Sequence, residues 1–346
     1  MSGMKEIYMH RCLELAKAGE GRTAPNPMVG CVIVYEGRII GEGYHTRCGM
    51  PHAEVNAINS VKDKELLKKS TLYVNLEPCS HYGKTPPCSD LIVSYSIPEV
   101  IIGTIDPFSL VAGRGIEKLK TAGCNVETSM LEKECRELNR RFFTFHEKKR
   151  PYIILKWAQT SDGFIDTNRK ASKNKQPKWI TNEIARVAVH KQRATEQAIF
   201  IGTETAIADN PSLTLRDWYG NQPVRIIPDL HGRLPINLSI FDGSCPTVII
   251  TSQNKKKDYP NSMVITCGDN LLTTLTEFLY KNEIQSLIVE GGAKTLTGFI
   301  NEGLWDEAHI YTGEIKFQEG VKAPEFKCQS VKSERINNSI LNIYRK

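Results

Sequence analysis

Two short segments carry metal-ligand residues at fixed spacings. PHAEV contains His52 and Glu54, two residues apart, and EPCSHYGKTPPC contains Cys79 and Cys88, nine residues apart. A His-x-Glu segment followed by Pro-Cys and a second cysteine is typical of zinc enzymes that deaminate nucleobases, in which the two cysteines are usually three apart. For one metal ion to take ligands from both segments, the fold must bring them together. This requirement constrains the first half of the chain more than any other feature.

The ligand set predicts a catalytic zinc site. His52, Cys79 and Cys88 supply three ligands, whereas a structural zinc site fills all four tetrahedral positions with protein atoms. Zinc lowers the pKa of a bound water toward ~7 and so generates a nucleophile. Because residues i and i+2 diverge on a helix, Glu54 is expected to face the substrate and not the metal. Its predicted role is to take a proton from the water and deliver it to the departing amine.

The long spacing between the cysteines has its own consequence. The eight intervening residues, SHYGKTPP, indicate that Cys79 ends a loop and that Cys88 begins a helix after the two prolines. The loop carries His81, Lys84 and Thr85, whose side chains are able to contact an anionic or polar substrate. A solvated position in the loop is the alternative for Lys84.

Composition and charge narrow the class of protein. A length of 346 residues predicts two domains, and 40% apolar with 24% charged residues is ordinary for a globular protein. The N-terminal segment lacks the uninterrupted apolar core of a signal peptide, so we expect a cytoplasmic protein with reduced cysteines. Residues 1–150 hold 21 basic and 18 acidic side chains and the remainder holds 24 and 21, so each half carries only three net positive charges. This even distribution favours a small anionic substrate over nucleic acid.

In the first half of the chain, short apolar segments alternate with helical patterns, which predicts an α/β sandwich with a largely parallel sheet. The second half repeats the alternation. In the first half we expect strands at 28–35, 38–44, 71–76, 99–105 and 125–128, and helices at 4–18, 53–60, 89–95, 114–122 and 130–145. In the second half we expect strands at 152–158, 198–202, 223–228, 246–251, 263–267, 285–290 and 306–312, and helices at 182–195, 270–284 and 294–302. The charged segment HEKKRP separates the predicted domains, 1–147 and 151–346.

One turn in the second half indicates a phosphate site. QSLIVEGGAKTLTGFI is predicted to form a strand, a Gly-Gly turn and a helix. Glycines at this position let backbone N–H groups approach a phosphate at the helix N-terminus. The sequence is not G-x-G-x-x-G, so it does not have the Rossmann fingerprint.

Several segments resemble one known family. APNPMVGCVIV, GYHTRCGMPHAEV and EPCSHYGKTPPC are similar to the deaminase domain of the bifunctional riboflavin-biosynthesis deaminase/reductases, the RibD family. LKWAQTSDGFI and GTETAIADNPSLTLR resemble the reductase domain of that family. The resemblance implies an N-terminal cytidine-deaminase-like α/β/α sandwich and a C-terminal dihydrofolate-reductase-like α/β domain. It also implies zinc-dependent deamination of a diaminohydroxy-phosphoribosylaminopyrimidine, followed by NADPH-dependent reduction of the ribosyl group of the product to ribityl.

The resemblance also implies site residues. In the deaminase domain, the positions that match substrate contacts are Asn26, His45 and Lys84. In the reductase domain, the positions that match cofactor contacts are Ala158, Trp179, Thr205, Asp209, Gly292, Ala293, Lys294, Thr295, Leu296, Thr297 and Gly298. The positions that match contacts to the ribosylamino substrate are Arg193, Leu213, Arg216 and Glu290, and Lys156 is a candidate for the hydride-transfer step. From the residues alone, a core position for Trp179 and a surface position for Arg193 are the alternatives.

Two segments depart from the family pattern. DPFSLVAGRG keeps the glycines of the family but has Phe108 and Ser109 where the family reads Asn-Pro, so a contact made by that asparagine is not expected here. Residues 164–178 form a longer and more basic segment than in the family. Pro177 stands in place of a family serine, which predicts a lost hydrogen bond to substrate and a weaker reductase.

Two other functions fit parts of the pattern. One is a deaminase of free or nucleic-acid bases whose C-terminal half only binds, and the other is a zinc-stabilised binding protein without catalysis. The even charge disfavours the first, while Glu54 and the open ligand position disfavour the second. The expected partners are a small-molecule phosphoribosylaminopyrimidine and further copies of the chain in a dimer or tetramer, with neither nucleic acid nor membrane.

Overall fold

The computed structural model describes residues 2–82, 86–108, 112–169, 178–255 and 257–346. The chain divides into two compact units, Met1–Lys149 and Arg150–Lys346, which we call the N-terminal and C-terminal units. Within the described ranges, every helix is too short or too polar to cross a membrane. Both units combine a sheet with helices, as the alternation of patterns predicted.

The N-terminal unit contains a five-stranded sheet with the order β2-β1-β3-β4-β5. Its strands are β1 (Gly30–Tyr35), β2 (Arg38–Tyr44), β3 (Thr71–Val74), β4 (Glu99–Ile102) and β5 (Asn125–Glu127). Its helices are α1 (Ser2–Lys17), α2 (Ala53–Ser60), α3 (Cys88–Ser94), α4 (Arg114–Thr121), α5 (Glu132–Leu138) and α6 (Arg140–Lys148), with a 3₁₀ helix at Lys64–Lys69.

Two expectations for this unit were wrong. The sheet is mixed and not largely parallel, since β1 is antiparallel to both of its neighbours while β3, β4 and β5 are parallel. Strands β1 and β2 form a hairpin because Glu36 and Gly37 both adopt positive φ, as the favoured two-residue turns require. The helix expected at 130–145 is interrupted at Asn139, whose side chain instead bonds the backbone N–H and C=O of Met28 at 2.8 Å each.

The sheet of the N-terminal unit is covered on both faces, because successive side chains of a strand point to opposite sides. Ile33, Leu72, Val100 and their neighbours pack against α2, α3 and α4 on one face. Val32, Tyr73 and Ile101 pack against α1 and α5 on the other face. This arrangement confirms the predicted α/β/α sandwich.

The C-terminal unit contains a nine-stranded sheet with the order β11-β10-β9-β8-β12-β6-β13-β16-β15 and a two-stranded sheet of β7 and β14. The strands are β6 (Tyr152–Gln159), β7 (Phe164–Asp166), β8 (Ala198–Phe200), β9 (Val224–Pro228), β10 (Thr247–Thr251), β11 (Met263–Thr266), β12 (Ser286–Glu290), β13 (Glu307–Gly313), β14 (Val321–Lys322), β15 (Ser330–Ile336) and β16 (Ser339–Arg345). The helices are α7 (Glu183–Arg193), α8 (Thr203–Asp209), α9 (Leu271–Lys281) and α10 (Ala293–Asn301), with 3₁₀ helices at Ser239–Phe241 and Gln253–Lys255.

The strand directions of the large sheet place the candidate site. From β11 to β13 all neighbouring strands are parallel, and β16 and β15 then extend the sheet antiparallel. The carboxyl ends of the central strands β6, β8 and β12 therefore lie at one edge, where ligands of parallel sheets usually bind. The sequence pattern did not predict β15, because this edge strand is exposed along almost its whole length and has no apolar alternation. Helix α8 and strands β7, β14 and β16 were also not predicted.

Gly30→Ala is expected to destabilise the N-terminal unit by about 1–3 kcal/mol, the usual cost of overpacking a core. An added Cβ would lie 2.1 Å from the carbonyl oxygen of Cys12 and 2.9 Å from the nitrogen of Ala16, so helix α1 would have to move away from β1. Urea denaturation followed by circular dichroism measures the change. An unaltered midpoint would show that α1 tolerates the displacement.

Candidate active sites

The predicted zinc ligands come together from three places in the N-terminal unit. His52 immediately precedes α2, Cys79 lies in the loop after β3, and Cys88 is the first residue of α3. The three ligand atoms all lie within 4.8 Å of one another. Helix α3 follows directly after Pro87, as the long cysteine spacing predicted.

The geometry of this cluster fits a tetrahedral zinc ion. Nδ1 of His52 lies 3.6 Å from Sγ of Cys79 and 3.3 Å from Sγ of Cys88. Zn–N and Zn–S bonds of about 2.1 and 2.3 Å at a tetrahedral angle separate the two ligand atoms by about 3.6 Å. One imidazole and two thiolates are also the ligand types that zinc prefers.

The environment of Cys79 favours a thiolate. Its pKa is lowered to about 4, first by the hydrogen bond from the Cys88 thiol and also by hydrogen bonds from His52 and from the backbone N–H of Cys88. The same hydrogen bond raises the pKa of Cys88, the thiol that donates it. Metal binding requires the deprotonated sulfur, so Cys79 is prepared to bind a cation.

Glu54 lies in the first turn of α2 and is buried beside the cluster. Burial raises its pKa to about 7, and the neighbouring Cys79 thiolate contributes to the rise. A cation held by the three ligands would oppose this rise, because it favours the charged carboxylate. The side chain therefore lies where a proton carrier next to the metal is needed.

The structure also brings Asn26 and His45 to the cluster. Nδ2 of Asn26 lies 3.1 Å from Nε2 of His45, and the His45 ring is 5.4 Å from the His52 ring, measured between centroids. Nδ1 of His45 lies 3.1 Å from the carbonyl oxygen of Pro51, so this nitrogen carries the hydrogen and Nε2 is the acceptor. Burial lowers the pKa of His45, which keeps the ring neutral.

Two asparagines that the sequence analysis missed hold this region in place. Asn75 accepts a hydrogen bond from the backbone N–H of Gly30 at 2.8 Å and donates to the carbonyl of Met28 at 3.1 Å. Asn139 binds both backbone groups of Met28. Together they secure the segment that directly follows Asn26. No local sequence pattern distinguishes them, because their partners are 45–111 residues away.

A third missed residue, Glu77, explains the glycines that follow the DPFS segment. Its carboxylate accepts hydrogen bonds from the backbone N–H groups of Gly113 and Gly115, each at 3.0 Å, at the start of α4. Gly113 has φ of 78°, and a Cβ at Gly115 would lie 2.2 Å from the carbonyl oxygen of Pro78. A carboxylate at a helix N-terminus is favoured by the helix dipole. Glu77 thus ties the segment before Cys79 to α4.

The departure at Phe108 creates an aromatic contact. The Phe108 ring lies 6.3 Å from the ring of His81, in the loop between the two cysteines, and 5.2 Å from the ring of His146 on α6. An apolar ring therefore occupies the position where the family pattern has an amide. The predicted substrate residue Lys84 and the other departing residue, Ser109, lie outside the described residues.

In the C-terminal unit, Glu290 joins two of the predicted site residues. Its two carboxylate oxygens accept hydrogen bonds from Nε and an Nη of Arg193 at 2.7 and 2.9 Å. Nζ of Lys156 lies 3.4 Å from the second oxygen. Lys156 and Glu290 are neighbours across the parallel pair β6 and β12, and Arg193 ends α7. Arg193 is largely buried, so its alternative as a surface residue was wrong.

Burial and charge act on these three groups in opposite directions. Burial by itself would raise the pKa of Glu290, but the charges of Arg193 and Lys156 outweigh it and lower the pKa to about 2. Burial lowers the pKa of Lys156, with Arg193 acting in the same direction and Glu290 opposing. The cluster therefore contains a fixed carboxylate next to an amine that loses its proton more readily than an exposed lysine.

The predicted cofactor residues meet at the carboxyl ends of β8 and β12. The backbone N–H of Gly292 donates to Oγ1 of Thr205 at 3.1 Å, which joins the Gly-Gly turn to α8. A Cβ at Gly202, the residue that precedes α8, would lie 2.4 Å from Oγ1 of Thr295 on α10, so the starts of the two helices approach closely. The other members of the predicted set lie in α10, which starts at Ala293: Lys294, Leu296, Thr297 and Gly298.

Three further cofactor candidates lie on separate elements. Ala158 is on β6, two residues after Lys156 and therefore on the same face of the sheet. Trp179 is 66% exposed, so its alternative as a core residue was wrong. Asp209, the last residue of α8, forms an ion pair with Arg169, which also bonds Asp166 at 2.9 Å. Arg169 belongs to the long basic segment, whereas Pro177 of that segment lies outside the described residues.

The remaining substrate candidates lie in the loop after α8. The Leu213 side chain is buried in the core, and its φ is 56°. Any contact of Leu213 with a ligand would therefore come from its backbone. The Arg216 side chain is exposed, and its backbone N–H donates to Nδ1 of His190 at 3.3 Å.

Comparison with known proteins agrees with this division of the chain. Residues 3–104 match the family model of the cytidine and deoxycytidylate deaminase zinc-binding region, and residues 151–340 match the RibD C-terminal domain. The riboflavin biosynthesis protein RibD of Aquifex aeolicus is 41% identical over 331 residues, which cover 94% of this chain and 91% of that protein. The chain belongs to the RibD family. The RibD protein of Escherichia coli is 36% identical, with 88% of this chain and 86% of that protein covered.

Solved structures extend the agreement to the fold. A diaminohydroxyphosphoribosylaminopyrimidine deaminase/5-amino-6-(5-phosphoribosylamino)uracil reductase from Thermotoga maritima has a TM-score of 0.89 and 37% identity, covering 99% of both chains. RibD of Acinetobacter baumannii has a TM-score of 0.89 and 32% identity, covering 100% of this chain and 99% of that one.

Family membership confirms the cytidine-deaminase-like and reductase folds, and it decides between the functions left open by the sequence. The chain is a bifunctional deaminase/reductase of riboflavin biosynthesis, with a zinc-binding deaminase domain and an NADPH-dependent reductase domain. The nucleobase deaminase with a passive second half and the non-catalytic zinc module are therefore set aside.

Glu54→Gln is expected to lower the rate of deamination by roughly 10²–10⁴-fold, the usual contribution of a general acid–base group. The zinc content should not change, because Glu54 is not among the three clustered ligands. Metal analysis and ammonia release, measured on one preparation, test both statements. Glu65→Gln, an exposed change in the same unit, is the control. Loss of zinc from a folded Glu54→Gln protein would contradict the assigned role.

Proposed function

We propose that the N-terminal unit hydrolytically deaminates 2,5-diamino-6-(5-phosphoribosylamino)pyrimidin-4(3H)-one. We further propose that the C-terminal unit reduces the ribosyl group of the product, 5-amino-6-(5-phosphoribosylamino)uracil, to ribityl. The observation that carries the proposal is buried Glu54 beside a three-ligand metal cluster, in a chain that also holds the Lys156–Glu290–Arg193 cluster. The Thermotoga maritima relative, whose name includes both substrates, supports the choice of substrate.

In the deaminase, Glu54 moves the proton and two polar residues orient the ring. Zinc held by the three ligands supplies Lewis acidity that makes a water nucleophilic near neutral pH. Glu54 accepts a proton from the attacking water and passes it to the amino group, which leaves as ammonia. Asn26 and neutral His45 lie beside the cluster and bind the pyrimidine through hydrogen bonds. Lys84 binds the substrate phosphate, as the resemblance to the family implies.

In the reductase, NADPH supplies the hydride when it is bound. Thr205, Asp209 and the first turns of α10 bind the cofactor, since backbone N–H groups at a helix N-terminus favour phosphate oxygens. Arg193 and Arg216 bind the substrate phosphate, because guanidinium groups pair well with phosphate. Lys156, whose pKa is lowered by burial, provides the proton that accompanies the hydride.

The setting of the enzyme follows from the same chemistry. Zinc thiolates need reduced cysteines, which supports a cytoplasmic location. The small phosphorylated substrate is the proposed partner, with no role for nucleic acid or membrane. Copies of the chain are proposed to associate as a dimer or tetramer, which light scattering of the purified protein would measure.

The direct test is to incubate the purified enzyme with the diaminopyrimidine substrate and identify the products by mass. Without NADPH, the exchange of the ring amino group for oxygen is expected to be the only change. With NADPH, the deaminated product should in addition gain two hydrogen atoms, one from the hydride and one from a proton. Recovery of unaltered substrate from zinc-replete enzyme would contradict the proposed function.

Cys88→Ser is expected to remove zinc and deamination while leaving the reductase active on supplied deaminated intermediate. The reason is that the two clusters lie in separate compact units, consistent with functional domains at 1–147 and 151–346. Zinc analysis and NADPH oxidation measure the two effects. Cys48→Ser, an exposed change in the same unit, is the control. A parallel fall of reductase activity in a folded protein would show that the sites are not independent.

Arg216→Ala is expected to raise the reductase KM for its substrate by roughly 10–150-fold. A charge-assisted hydrogen bond contributes about 1.5–3 kcal/mol, and each 1.4 kcal/mol is one decade of affinity. Affinity for NADPH should change little, since Thr205 and the Gly-Gly turn lie on other elements. Steady-state kinetics and fluorescence titration with NADPH test both parts. Weaker NADPH binding with an unaltered substrate KM would assign this arginine to the cofactor.

A further inference from the structure

A buried histidine lies between the two arginines that are proposed to bind the substrate phosphate. His190 is on α7, three residues before Arg193, and is only 2% exposed. Its Nδ1 accepts a hydrogen bond from the backbone N–H of Arg216 at 3.3 Å. Its Nε2 lies 3.5 Å from a carboxylate oxygen of Asp217. Neither the family pattern nor the spacing of residues had marked it.

The contacts of His190 determine its protonation state. A backbone N–H can only donate, so Nδ1 must carry a lone pair and no hydrogen. The ring hydrogen is then on Nε2, where it faces the Asp217 carboxylate. Nε of Arg186 donates to the same carboxylate oxygen at 2.8 Å and so holds the Asp217 side chain in place. His190 is therefore a neutral imidazole that links α7 to the backbone of the 213–217 segment.

The segment that His190 holds depends on such anchors. Leu213 has φ of 56°, a left-handed conformation that a leucine rarely adopts, and its side chain is fixed in the core. The backbone N–H of Leu215 donates to the side chain of Gln222 at 2.8 Å. The next residue, Arg216, has an exposed side chain, so its direction is set by its backbone and not by core packing.

We propose that His190 is a positioning residue of the reductase substrate site. By accepting the Arg216 N–H on the helix that also carries Arg193, its neutral ring holds the backbone of Arg216 at a fixed distance from α7 and so sets the point from which the Arg216 side chain extends. The inference rests on the proposed function, because it takes these two arginines as the phosphate-binding pair. His190 itself does not touch the substrate and moves no proton in the reaction.

The charges around His190 make the contact sensitive to acid. The charged groups that act on it are Arg193, Arg216, Asp217 and Glu290, with Arg186 bound to Asp217. Burial lowers the pKa of His190, the two nearby arginines act in the same direction, and the two carboxylates oppose them. The neutral form is therefore retained at pH 7 and lost only below the usual histidine pKa of about 6.5. Protonation of Nδ1 would occupy its lone pair, so the ring could no longer accept the hydrogen bond from the backbone N–H of Arg216.

The test compares two substitutions of His190 in the full-length enzyme. His190→Leu removes the acceptor and should raise the KM for 5-amino-6-(5-phosphoribosylamino)uracil about three- to tenfold, the equivalent of one neutral hydrogen bond. The kcat and the affinity for NADPH should change less than twofold. His190→Asn puts an amide oxygen near the position of Nδ1 and should restore the KM to within about twofold of wild type.

The pH profile separates positioning from packing. In the wild type, the substrate KM should rise as the pH falls below the usual histidine pKa of about 6.5. The rise should be smaller in His190→Asn, which does not titrate at this position, because only protonation of the substrate phosphate then remains. Glu183→Gln, an exposed change in the first turn of the same helix, is the control and should leave KM unaltered. Thermal melting confirms that each variant is folded.

Two results would overturn the inference. One is an unaltered substrate KM in folded His190→Leu. The other is an equal increase of KM in His190→Asn and His190→Leu, together with a rise of KM at low pH in His190→Asn that is as large as in the wild type. If the wild-type enzyme did not reduce the uracil substrate at all, the proposed function would fail instead. The two failures are therefore distinguishable.

Discussion

The neutralisation of buried charge is the constraint on which both sites depend. An isolated charge in a protein interior is costly, so buried ionisable groups must be paired, hydrogen-bonded or neutral. Glu290 meets this condition through Arg193 and Lys156, and Glu77 through backbone N–H groups at the start of α4. Glu54 meets it by a pKa raised to about 7. Each solution lets a carboxyl group remain buried beside one of the sites.

The need to pair buried charges also joins secondary-structure elements to one another. In the C-terminal unit, the partners of Glu290 come from β6 and α7, so the ion cluster joins a sheet to a helix. Arg225 on β9 is completely buried and binds the carbonyl oxygen of Ile240 and the side chains of Asp242 and Ser244. Removing one partner of such a buried group leaves the other unsatisfied, which costs more than the bond itself contributes.

Much of the fold was predictable because strands and helices have local periodicities. The apolar segments around Ile33, Leu72 and Ile101 predicted strands, and the prolines before Cys88 predicted the start of a helix. Errors arose where local signals were weak or misleading. Strand β15 has almost no buried side chains, and Asn139 interrupts a helical pattern in order to bond Met28.

The sequence by itself determined the kind of chemistry. The types and spacing of His52, Glu54, Cys79 and Cys88 predicted a catalytic zinc site, since ligand type and number follow from the residues alone. Only the tertiary structure decided which distant residues meet. Asn75, Asn139 and His190 bond backbone groups of residues 26 to 111 positions away. Such bonds depend on how the packed sheets and helices bring separate segments together, and no local pattern records that convergence.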